Sequence, residues 1–147
     1  MPKLRKLEMQ KIVLDTNVIV SALLSKGIPS QIITELVLPK RVLVCLSESV
    51  LSEYIEVLNR DKFSKYVNFK TQAEIVIARI QEIAVMYIPQ ITVNLLSDSS
   101  DNKFLELAIA ANADYVVTGN TRHFTISEIE NTKIMTPTQY WELNEEI

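Results

Sequence analysis

The feature that most restricts the fold is an alternation of two periods along the chain. Short, apolar, β-branched runs recur, and longer stretches with helical spacing separate them. KIVLD (11–15) reads as a buried strand, followed by a helix through VIVSALL that Thr16 or Asn17 can cap. Lys26-Gly27-Ile28-Pro29-Ser30 is a break, after which Ser30 is placed to cap QIITELVL, a helix ending near Pro39. RVLVCLS (41–47) is a second strand, and Ser47 or Ser49 can cap a helix running to about Asn59. Residues 60–70 read as an exposed helical or loop segment. Residues 71–85 have helical spacing, with Ile75, Ala78, Ile80 and Ile83 among the apolar positions. Residues 87–93 fit an edge strand or an extended connection, because Pro89 is excluded from a central strand. SDSSD (97–101) opens the helix NKFLELAIAANA. Residues 115–118 and 133–135 are two more strands, and Pro137 suits the first turn of a last helix, TQYWELNEE.

The order β-α-α-β-α-α-α-β-β-α predicts an α/β fold with a mostly parallel central sheet and helices on both faces. In such sheets, sites gather at the carboxyl ends of the strands. A length of 147 residues fits one domain, taken as 11–147, behind a basic N-terminal extension at 1–10. Over residues 1–11, Lys3, Arg5, Lys6 and Lys11 stand against Glu8, although the whole chain carries −3.

Several chemistries are excluded by what is scarce. Cys45 is the sole cysteine and His123 the sole histidine, so a zinc site of Cys and His ligands cannot form. Cys45 sits inside an apolar strand and reads as a small core residue. There is no GxSxG elbow, P-loop or Gly-rich dinucleotide fingerprint. No run approaches the ~18 apolar residues of a membrane span, and no signal-peptide core follows the basic start, so a cytoplasmic protein is expected. What remains is carboxylate chemistry.

Three acids occupy telling positions. Asp15 closes the first strand beside a helix start, where the competing reading is an Asx turn or cap. In the helix after the second strand, Val50, Leu51, Tyr54, Ile55 and Leu58 define one apolar face. At ~100° per residue Glu56 falls opposite that face and Glu53 on its flank, nearer the sheet. Glu48 reads as a first-turn acid favoured by the helix dipole. Asp101 aligns with Phe104, Leu105, Ala108 and Asn112, the face that should pack on the sheet. A carboxylate aimed that way needs a cation or hydrogen bonds. Its competing reading is a capping box, with Asp98 as cap and Asp101 as the acid three residues on. Asn120, after YVVTG, can orient water or phosphate, or serve as a turn residue; Arg122 can pair with phosphate. Hard oxygen donors of this kind suit Mg²⁺ or Mn²⁺.

VLDTNVIVSALL, SESVLSEYIEVL, SDSSDNKFLELAIAANADYVVTGNTRHF and MTPTQYWE, in this order, resemble the PIN-domain family, over roughly residues 11–142. The resemblance is strongest to the branch of toxin components of prokaryotic toxin–antitoxin pairs. It implies a three-layer α/β/α sandwich, Mg²⁺- or Mn²⁺-dependent ribonuclease activity, an RNA substrate, a cognate antitoxin and a homodimer. Carried over, the family's acids fall on Asp15, Glu53 and Asp101, with Asp98 as a further metal contributor. Thr16, Asn17, Thr118 and Asn120 would support them. Asn120 stands where many members have a fourth acid, which implies one well-held ion. Lys62 and Lys65 lie in the stretch RDKFSKYVNFK (60–70) with Phe63, Tyr66 and Phe69, and with Arg122 they are the candidate substrate contacts. The aromatics can stack on unpaired bases or close a small core or dimer contact. Two other functions stay open: a PIN-fold module that binds RNA or protein without cutting, and a phosphate-handling enzyme for small molecules. The strand-end DTN lacks the second aspartate that the latter's aspartyl-phosphate chemistry requires.

Overall fold

The computed structural model describes residues 9–96, 98–120 and 124–145. Six strands form one sheet in the order β3-β2-β1-β4-β6-β5. Strands β1 (Lys11–Leu14), β2 (Leu43–Leu46), β3 (Val85–Met86), β4 (Tyr115–Val117) and β6 (Thr132–Met135) run parallel, and β5 (Glu128–Ile129) pairs antiparallel with β6. Successive residues of β1 point to opposite faces, yet Ile12, Val13 and Leu14 are all fully buried. Both faces of the sheet are therefore covered, as an α/β/α sandwich requires.

The helices are α1 (Thr16–Leu24), α2 (Ile28–Gln31), α3 (Glu48–Leu58), α4 (Phe69–Ile83), α5 (Asn102–Ala111) and α6 (Pro137–Glu145). Helix α5 lies on β1, β2 and β4. It buries Phe104, Leu105, Leu107 and Ala108 completely, at the spacing of one helical face. Residues Val50, Tyr54 and Leu58 do the same for α3. Cys45 is buried in the core, with its thiol pushed up to about 12 by that burial.

Several local expectations are corrected. Neither Thr16 nor Asn17 caps α1: Asp15 holds the N-cap position, without a side-chain bond to the helix. Ser30 does not cap α2, which starts earlier, with Gly27 at the cap position and Pro29 in the first turn. There the fixed φ of proline is already helical. The helix then widens into a π-helical stretch, Ile32–Val37, where Leu38 N–H reaches back five residues to Ile33 O at 2.9 Å. Helix α4 begins at Phe69 because Asn68 turns the chain in a left-handed conformation (φ 66°). The strand expected within 87–93 lies just upstream, as β3, and Pro89 falls beyond its end. Strand β5 escaped the sequence reading because a two-residue hairpin arm carries no period.

Between the two candidate caps of α3, Ser47 is the cap: its Oγ accepts the Val50 N–H at 3.3 Å. This residue links the end of β2 to the helix that carries Glu53. Ser47→Ala is expected to lower stability by about 1 kcal/mol. In urea unfolding the midpoint should fall with the slope unchanged; an unshifted midpoint would remove the cap from the account.

Candidate active site

The chain reverses its order across the sheet at β1. From β1 it moves to β2 on one side, and later returns to place β4 on the other. The crevice outside β1 and β4 is thus a topological switch point. Register aligns Leu14 with Val117, so the next residues, Asp15 and Thr118, end adjacent strands side by side. The Asp15 N–H donates to Val117 O at 3.0 Å, which continues the ladder one residue past β1.

Asp15 is buried, at 5% exposure. The Thr118 hydroxyl donates to Asp15 Oδ2 at 2.6 Å and accepts the Asn120 N–H at 3.0 Å, so a single rotor serves both groups. Asn17 Oδ1 accepts the Gly119 N–H at 3.4 Å and ties the start of α1 to the turn after β4.

Glu53 reaches the same edge from α3. The neighbouring residue fixes it there: Tyr54 is fully buried, and its hydroxyl donates to Leu14 O at 2.5 Å, one residue before Asp15. The two Glu53 oxygens have separate partners. The Thr16 hydroxyl donates a short hydrogen bond to Oε2, and Lys103 Nζ stands 2.9 Å from Oε1. Glu56 points to water, where it pairs with Arg60 at 3.0 Å. Asp101 ends the 3₁₀ turn Ser99–Asp101, directly before α5, and is 9% exposed. The 3₁₀ turn is held by Asp98, whose Oδ1 accepts the Ser100 N–H at 3.0 Å.

Burial pushes the Asp15 carboxyl up from 3.8 to about 6. The Thr118 hydrogen bond opposes this, repulsion from Asp101 and Glu53 adds to it, and the Thr16 backbone N–H eases it. The Tyr54 hydroxyl is also raised, by burial first and then by Asp15 and Glu53.

Asp98 is exposed and stands at the N-cap position of the 3₁₀ turn before α5. Lys62 and Lys65 are exposed on the segment after α3, with Nζ 5.2 Å and 5.4 Å from the ring centroids of Phe63 and Tyr66. Phe63 and Phe69 are buried and stacked at 4.5 Å, so of the two readings for these aromatics they take the core one. Tyr66 is exposed, at 45%. Residues 60–70 do not form one helix: a 3₁₀ turn, Asp61–Phe63, precedes the left-handed Asn68. Arg122 and His123 lie outside the described residues, as does most of the basic segment 1–10.

The donor chemistry of Asp15, Glu53 and Asp101 fits a hard divalent cation, since they bring only carboxylate oxygens, and Asp15 is repelled by the other two. In the arrangement described, Glu53 is turned to Thr16 and Lys103. Among the described residues no three Asp, Glu, His or Cys side chains form a group able to hold an ion.

Two positions that shape this edge were missed from the sequence. Tyr54 was read only as an apolar-face residue, and nothing in a sequence announces the acceptor of its hydroxyl. Lys103 did carry a signal. It is the second residue of α5, where the helix dipole disfavours a cation, so a lysine there implies an acidic partner.

A protein of Methanocaldococcus jannaschii, itself described as uncharacterized, is 30% identical over 121 residues, covering 82% of this chain and 76% of its own length. Among the described residues no helix is long and apolar enough to cross a membrane. The model of the PIN domain, a nuclease-type family associated with RNA and divalent metal ions, matches residues 11–122. That match runs from the first residue of β1 past the turn after β4, and so spans all three acids of the crevice: the chain belongs to the PIN-domain family.

Proposed function

We propose that this protein is a Mg²⁺- or Mn²⁺-dependent endoribonuclease, acting in the cytoplasm as the toxin of a toxin–antitoxin pair and held by a cognate antitoxin. The observation that supports the nuclease reading is that Asp15, at the switch point beside β4, is buried and repelled by both Asp101 and Glu53. The toxin role and the homodimer rest on the resemblance of the sequence to that branch of the family.

In this reading Asp15, Glu53 and Asp101 would hold the ion, and the chemistry it would supply is Lewis acidity and a lowered pKa of water. Thr118 fixes the rotamer of Asp15, and Thr16 that of Glu53. Asn17 and Asn120 shape the turn against which a phosphate would lie. Asp98 forms the 3₁₀ turn that presents Asp101. Arg122, Lys62 and Lys65 are the candidate contacts to the RNA backbone. No protein nucleophile is required in this reading.

A second reading is a PIN-fold module that binds without cutting. It is favoured by the two engaged oxygens of Glu53 and by Asn120 in place of a fourth acid. One experiment separates the two: incubate purified protein with single- and double-stranded RNA in Mn²⁺, Mg²⁺ or EDTA, beside Asp101→Asn. Cleavage is expected with metal alone and is lost in the variant. A folded, antitoxin-free sample that cuts no RNA with either metal would transfer the case to the binding module.

A further inference from the structure

We infer that Lys103 is the resident counter-cation of the acidic crevice: it holds Glu53 in the metal-free protein and gives it up when a divalent ion enters. The inference deepens the proposed function and rests on its metal reading.

Three observations lead to it. First, Lys103 stands where its own helix disfavours a cation. Lys103 occupies the first turn of α5, the positive end of the helix dipole, and Glu53 lies mid-way along α3. Their contact joins two helices fifty residues apart at 2.9 Å, with side chains 25% and 18% exposed. Second, the pair engages a group that the metal reading needs. Glu53 Oε2 takes the Thr16 hydroxyl and Oε1 takes Lys103, so a dication drawing on Oε1 meets the ammonium already there and competes with it for the same oxygen. Third, Asp15 is buried and both Glu53 and Asp101 repel it, so a cation held at this edge offsets like charge there.

A lysine suits such an exchange. Its ammonium is a compact, strongly hydrated charge on a flexible stem and can withdraw to water, whereas a bidentate arginine would hold Glu53 in a fixed fork. Partial exposure of Lys103 leaves that path open. The same carboxylate then has two alternative cations, one covalently tethered and one from solution. The tethered one keeps the crevice formed before metal arrives, and it lowers apparent metal affinity by competing.

The test compares wild type with Lys103→Met, which keeps the stem length and removes the charge. Mn²⁺ binding is read by the electron paramagnetic resonance of free Mn²⁺, and thermal stability is read in EDTA and in saturating Mn²⁺. The expected result is a Met variant that melts lower than wild type in EDTA, binds Mn²⁺ about tenfold more tightly, and regains most of its stability when Mn²⁺ saturates. A purely structural ion pair would lower melting in both conditions and leave Mn²⁺ affinity unchanged, and that outcome overturns the exchange. Lys103→Gln, which keeps a hydrogen bond to Glu53, provides the same comparison if the Met variant does not fold in EDTA. Mn²⁺ that binds both proteins equally overturns the role of Lys103 alone. Mn²⁺ that binds neither overturns the metal reading together with it.

Discussion

Asp15→Asn is expected to reduce metal-dependent RNA cleavage on the order of a thousandfold, equivalent to about 4 kcal/mol of lost transition-state stabilisation, while making the metal-free protein more stable at neutral pH. The two effects have one cause. Asp15 is nearly inaccessible to water and faces Glu53 and Asp101, so its negative charge is useful to a cation and costly without one. Asparagine keeps an oxygen that can accept from the Thr118 hydroxyl, so the local geometry survives the change. The pH dependence follows in sign. The folded carboxyl titrates at about 6 against 3.8 for the ordinary group, so between those values the folded state binds more protons than the unfolded one. Stability from this group is therefore full below about pH 4 and is lost as pH rises through 6, by about 3 kcal/mol in all. Asparagine lacks the titration. In EDTA, the stability of the variant relative to wild type should rise by about that amount from pH 4 to pH 7. Urea unfolding at a series of pH values measures it. A difference that stays flat would mean that Asp15 is neither buried nor repelled as described, and full cleavage by the variant would remove Asp15 from the site.

The layout of the fold was legible because it is written in periods. Strand β1 is apolar throughout, as a strand covered on both faces must be, and α5 shows its sheet-packing face in Phe104, Leu105 and Ala108. What could not be read were features decided by one or two residues. The left-handed turn at Asn68, the π-helical turn after α2 and the hairpin arm β5 have no repeating signal. The crevice was legible in the same partial way. The helix-face argument correctly set Glu53 toward the sheet and Glu56 toward water. It could not show that Glu53 already holds Thr16 and Lys103, because contacts between residues far apart in sequence depend on how α1, α3 and α5 pack. The basic–aromatic stretch left two readings open for a related reason: Phe63 and Phe69 take the core one because the turn at Asn68 brings one ring onto the other.

Tyr54→Ala should be the most damaging single change outside the carboxylates, with a loss of about 4 kcal/mol of stability. Tyr54 and Tyr140 are the largest fully buried side chains among the described residues, and truncating Tyr54 leaves a cavity between α3 and the sheet that surrounding groups can close only in part. It also removes the hydroxyl donor to Leu14 O. That bond spans β1 and α3 directly beside Asp15 and Glu53, so the damage reaches the crevice. A displacement of about 1 Å in a catalytic group costs on the order of a hundredfold in rate, and cleavage by Tyr54→Ala, assayed well below its melting temperature, should fall by that much. Tyr54→Phe separates packing from the hydrogen bond. It keeps the ring and should lose only about 1 kcal/mol, with cleavage closer to wild type than to the Ala variant. Equal losses of activity in the two variants would assign the positioning of Glu53 to the hydroxyl rather than the ring. Wild-type cleavage by a folded Tyr54→Ala protein would mean that the link from Tyr54 to the crevice does not set the position of Glu53.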